Sequence, residues 1–93
     1  MKKLFDEISC YVEKGDGTCR DYCVDYIHEE LKTPKAEIIA AIDKMVAKKL
    51  LIEAHPDSIY HGGLYNPKYT PNTAQEVQEE NERILAREHN AHL

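Results

Sequence analysis

Ninety-three residues, 42% apolar and 31% charged, suit one small globular domain and leave no room for a second core. No apolar run approaches the ~20 residues of a membrane span, and the opening MKKLFDEIS lacks a signal peptide's apolar stretch, so a cytoplasmic protein without membrane contact is expected. A formal net charge of −5 excludes strong bulk attraction to nucleic acid.

The charge is unevenly spread. Residues 1–31 carry four basic and eight acidic groups, and residues 71–93 carry two arginines against five glutamates. Residues 32–50 instead carry five lysines against Glu37 and Asp43, so any contact with a polyanion must be focused there. The cysteines, Cys10, Cys19 and Cys23, are odd in number and form no C-x-x-C pair, which points to reduced thiols rather than a disulfide framework or zinc site.

Along the chain, apolar spacing predicts a first helix from about Lys2 to Lys14, with Leu4, Phe5, Ile8, Tyr11 and Val12 on one face and Gly15 and Gly17 ending it. Cys10 projects away from that face, as an intersubunit or reactive thiol or as an inert surface cysteine. Thr18 suits the cap of a second helix whose apolar stripe is Cys19, Tyr22, Cys23, Tyr26, Ile27 and Leu31.

After the break LKTPK, Thr33 suits a cap and Pro34 the first position of a third helix. That helix is expected to bury Ile38, Ile39, Ile42, Met45, Val46 and Leu50, turning Ala36, Glu37, Ala40, Ala41, Lys44 and Ala47 outward with Lys48 beside them. LLIEAH, from Leu51, reads as a strand, Pro56 and Asp57 as the middle of a turn, and IYHGGLY, from Ile59, as the returning strand with a bend at Gly62 and Gly63. Pro67 and Pro71 then forbid a long regular element, and Thr70 or Thr73 caps a last helix over about Asn72 to His89.

Three helices, a two-stranded β-hairpin and a C-terminal helix make a mostly helical α+β fold, the order of a winged helix-turn-helix. The stretch DYIHEELKTPKAEIIAAIDKMVAKKLLIE resembles the helix, turn, helix and first wing strand of the MarR- and PadR-type regulators. YTPNTAQE resembles their junction between wing and terminal helix, and the likeness spans roughly Asp21 to Glu79. Two features depart from the pattern. The wing offers His55, His61 and Lys68 in place of arginine, and Lys49 or Leu50 stands where a glycine commonly precedes the first wing strand.

On this reading residues 1–70 form the winged-helix domain and residues 71–93 a dimerisation helix. Thr33, Lys35, Glu37, Ala40, Lys44, Lys48, His61 and Lys68 are the candidate contacts to double-stranded DNA. Alanine admits a close approach to the groove floor and to a thymine methyl, lysine meets phosphate or guanine, and Glu37 suits only a cytosine amino group. The resemblance implies a homodimer joined by the terminal helices, where Val77, Asn81, Ile84 and Leu85 form a thin seam with one polar residue able to fix register.

The alternative is a winged-helix module that binds a protein partner and reads no DNA, favoured by the acidic balance, Glu37 and the alanine-rich face. Tyr60, Tyr65 and Tyr69 suit either an anchoring role or a cover for a core that lacks tryptophan. His28 points off the line of Cys19 and Cys23, and His89 and His92 read as a tail, so no metal or other cofactor is expected. No phosphate-binding loop, HExxH or nucleophile elbow is present, and catalysis is not expected.

Overall fold

The computed structural model describes residues 2–13 and 18–91. Its elements run α1 (Lys2–Glu13), β1 (Thr18–Cys19), α2 (Arg20–Leu31), α3 (Lys35–Ala47), β2 (Ile52–Glu53), β3 (Gly63–Tyr65) and α4 (Pro71–Ala91). The expected helix stop at Gly15 and Gly17 and the tail residue His92 lie outside the described residues.

The fold is a mostly helical α+β globule in which α1, α2 and α3 pack together beside an antiparallel sheet of order β1-β3-β2. The sheet has three strands, where sequence reading expects two. Thr18 pairs with Leu64 and Cys19 with Gly63, while Ile52 and Glu53 pair with Tyr65 and Leu64 on the other side of β3. Thr18 is therefore a strand residue, not a helix cap. Cys19 holds the N-cap position of α2 in extended backbone without a side-chain bond.

The main core draws Ile8 and Val12 from α1, Cys23, Val24 and Ile27 from α2, and Ile38, Ala41, Ile42 and Met45 from α3, closed by Leu51 and Leu64. A smaller cluster of Ile52, Ala54, Tyr65, Ala74 and Val77, flanked by Tyr60, fixes α4 against the sheet.

Several expected core positions are rotated out. On α2 the buried line runs through Cys23, Val24 and Ile27, so Cys19 is exposed and Tyr22, at 69% exposure, and Tyr26 fall on the solvent flank. Their hydroxyls thereby stay in water. Tyr26 keeps one apolar contact by stacking on Tyr11 at 4.6 Å. On α3 the buried arc is centred on Ile38, Ala41, Ile42 and Met45, which takes Ala41 inward and leaves Ile39 at 42% and Leu50 at 47% exposure.

The connections use left-handed backbone. Lys32 (φ 56°) ends α2 with its N–H on the His28 carbonyl at 2.9 Å, and Lys49 (φ 62°) follows α3. The amides of Leu50 and Leu51 then fold back onto the Met45 carbonyl at 2.9 and 3.3 Å. Lys49 thus occupies a conformation for which glycine is the default. Pro34 is the N-cap of α3 and not its first residue, and its carbonyl accepts the Glu37 and Ile38 amides.

Between β2 and β3, Pro56 and Asp57 sit inside a turn closed by the Ser58 amide on the His55 carbonyl at 3.0 Å. His61 (φ 52°) and Gly62 (φ 74°) bring the chain back, so the return is a loop until Gly63, and β3 is shorter than expected. Thr70 accepts the first amide bond of α4, from Ala74, but its hydroxyl donates back to the Asn66 carbonyl at 3.0 Å and does not cap the helix. No helix among the described residues is long and apolar enough to cross a membrane.

Candidate nucleic-acid interface

The exposed side of α3 follows from the arc it buries. With Ile38, Ala41, Ile42 and Met45 in the core, helical geometry leaves Ala36, Glu37, Ile39, Ala40, Asp43, Lys44 and Ala47 exposed, and Lys48 continues the face at the C-cap. Five of the expected contact residues, Lys35, Glu37, Ala40, Lys44 and Lys48, are therefore on one exposed element.

Two charges on this face are neutralised within the chain. The Lys35 ammonium pairs with Asp25 of α2 at 2.9 Å. Asp43 accepts from Arg20 Nη1 at 2.6 Å. The same guanidinium grips Glu53 of β2 through Nε to Oε2 at 2.8 Å and Nη2 to Oε1 at 2.7 Å. These bonds, first the one to Glu53, raise the Arg20 pKa above its ordinary value, so the clamp stays charged at any working pH. One side chain from the start of α2 thus ties α3 to the sheet.

The hairpin is held from its other side as well. Asn81 of α4 donates to the Glu53 carbonyl at 2.8 Å and accepts the His55 amide at 2.7 Å. The His55 ring accepts the Asp57 amide at Nδ1 (3.0 Å), and its Nε2 lies 3.2 Å from Glu88. This side of α4 is turned to its own hairpin: Val77 and Ile84 are buried and Asn81 is occupied, and only Leu85, at 54% exposure, stands out from the expected seam.

The remaining candidates are dispersed. Thr33 is half-buried, and its backbone carbonyl pairs with the His28 ring at 2.7 Å; Pro34, not Thr33, holds the N-cap position, so α3 has no side-chain cap. His61 is exposed in the β2–β3 connection. Lys68 lies beyond β3, with its ammonium 5.5 Å from the centre of the Tyr69 ring. It lines a cleft of about 510 Å³ together with Phe5 from α1 and with Lys49 and Leu50 from the turn after α3, which brings it close to the basic C-terminal end of α3. Asn66, buried beside this cleft, donates to the Ser9 carbonyl and hydroxyl at 3.2 and 2.8 Å and anchors the segment after β3 to α1.

Cys10 is exposed as expected, whereas Cys23 is buried and desolvation pushes its thiol up to about 11. Sequence reasoning missed Arg20, Glu53 and the interior role of Asn81. The available signal was that Arg20 is one of only three arginines and the first of them along the chain. Its partners, 23 and 33 residues away, leave no local trace. Comparison with family models, with curated proteins and with solved structures gives no match.

Proposed function

We propose that the chain is a winged helix-turn-helix protein, in the manner of the MarR- and PadR-type regulators it resembles, and that it binds duplex DNA through α3. The observation that carries this reading is the α3 face itself. It is exposed, small at Ala36, Ala40 and Ala47, basic at Lys44 and Lys48, and reached through a tight left-handed turn from α2. Such a face admits close approach to the major-groove floor, with lysines placed for phosphate or guanine. Arg20 supports the reading by offsetting one of the two negative charges that Asp43 and Glu53 place next to the helix, which lowers the repulsion a phosphate would meet there.

Retardation of random duplex fragments at low and moderate salt, with the molecular mass measured in parallel, tests the proposal. Binding that weakens as salt rises is expected. Its absence at low salt would refute the DNA reading. The second reading, a module for a protein partner, is favoured by the composition of the β2–β3 connection. From Ala54 to Gly62 it has no lysine or arginine to meet a neighbouring phosphate.

A further inference from the structure

Beside the outward face of α3 runs a cleft of about 530 Å³, lined by Leu4 of α1 and by Glu37, Ala40, Ala41 and Lys44. Four residues of α3 carry charge, and Lys35 and Asp43 are already paired with Asp25 and Arg20. Glu37 and Lys44 make no ion pair among the described residues. The two unpaired charges are opposite in sign and lie equally far on either side of the midpoint between Ala40 and Ala41. They are two helical turns apart, about 10 Å along the axis, on the same flank of the helix.

We propose that this cleft and the adjoining α3 face receive the α3 of a second copy of the chain, antiparallel about a two-fold axis through that midpoint. Such an axis puts Glu37 opposite the partner's Lys44, and Lys44 opposite the partner's Glu37. A surface that complements itself in this way is what an isologous dimer requires. Flank residues of the same side meet across an antiparallel helix pair, so both reciprocal ion pairs form on the cleft side. Ala40 at the crossing permits close approach, and Leu4 and the exposed Ile39 supply apolar cover on the two flanks. The 13 residues of α3 span about 20 Å, so the contact is small and the dimer concentration-dependent.

This proposal stands apart from DNA binding but has a consequence for it, because the dimer covers the face that DNA would use. Self-association and DNA binding are then mutually exclusive.

Sedimentation equilibrium of the full chain from micromolar to millimolar concentration tests the proposal, with far-UV circular dichroism to verify folding of each variant. The wild type is expected to pass from monomer to dimer. Glu37→Lys and Lys44→Glu should each weaken the dimer about tenfold or more, since each turns two attractions into repulsions. The double variant E37K/K44E restores both pairs with their signs exchanged and should return to within about twofold of wild type. A wild type that stays monomeric, single variants without effect, or a double variant as weak as the singles would overturn it.

The two proposals fail separately. Glu37→Lys removes a carboxylate from the DNA face and should strengthen duplex binding while weakening the dimer. Absence of duplex binding in every variant would end the DNA reading and leave the sedimentation result to decide this one.

Discussion

Arg20 and Glu53 are joined by two parallel hydrogen bonds, 2.8 and 2.7 Å long, across 33 residues of sequence. Arg20 also reaches Asp43 at 2.6 Å, so α2, α3 and the hairpin are coupled through one planar group. A fork of this kind is not replaceable by an ammonium. Arg20→Lys is expected to lower stability by about 1–2 kcal/mol in urea denaturation, because the group is only partly shielded from water. Arg20→Met should cost more, since it leaves Glu53 unpaired on the sheet.

Asn81→Leu removes both bonds to the backbone of β2 and the residues just after it, stranding the Glu53 carbonyl and the His55 amide. A loss of about 2 kcal/mol is expected from chemical denaturation. The same variant distinguishes two roles for this residue. An asparagine that fixes register between two α4 helices would, when replaced by leucine, change the oligomeric state. One that holds its own hairpin changes stability and leaves the mass alone, which is the outcome expected here.

Lys49→Gly should stabilise the protein by up to about 1 kcal/mol. A left-handed L-residue costs about 1–2 kcal/mol, of which glycine's greater unfolded-state freedom takes back part. A melting temperature unchanged or lowered by Lys49→Gly would show that the lysine side chain makes up the difference.

The pH dependence at the alkaline end has a definite sign. The buried Cys23 thiol is raised from 9.0 to about 11, so between these values the unfolded chain loses its proton while the folded chain keeps it. The unfolded state then binds fewer protons, and stability falls as pH rises through this window, by up to about 1.4 kcal/mol per pH unit. Tyr11, raised chiefly by burial, acts in the same direction. Unfolding free energies measured at pH 8 and pH 10 should diverge less in Cys23→Ala than in wild type.

Legibility in the sequence followed the range of the interactions. The α3 helix, the burial of its Ile38, Ile42 and Met45, the Pro56–Asp57 turn and the terminal helix are set by neighbours a few residues apart, and they were readable, whereas the burial of Ala41 in place of Ile39 was not. The left-handed backbone at Lys49 was not readable, because a lysine there carries no glycine's signature. β1 was not readable: two residues, Thr18 and Cys19, carry no periodicity, and only pairing with Leu64 and Gly63 makes them a strand. The tyrosines of α2 misled because spacing marks Tyr22 and Tyr26 as apolar while their hydroxyls favour the solvent flank. The Arg20 clamp and the Asn81 link join positions 23 to 33 residues apart, and no local pattern announces them.

The most direct measurement of the α3 face as a DNA surface is fluorescence anisotropy of a labelled duplex titrated with wild type and with the Lys44→Glu, Lys48→Glu double variant across a salt series. If these lysines neutralise phosphates, wild-type affinity falls linearly on logarithmic axes, with a slope of about −0.9 per phosphate contact. The double variant should then bind far more weakly and with a slope shallower by about 2. Equal affinity and equal slope for the two proteins would contradict a role for α3 in binding DNA.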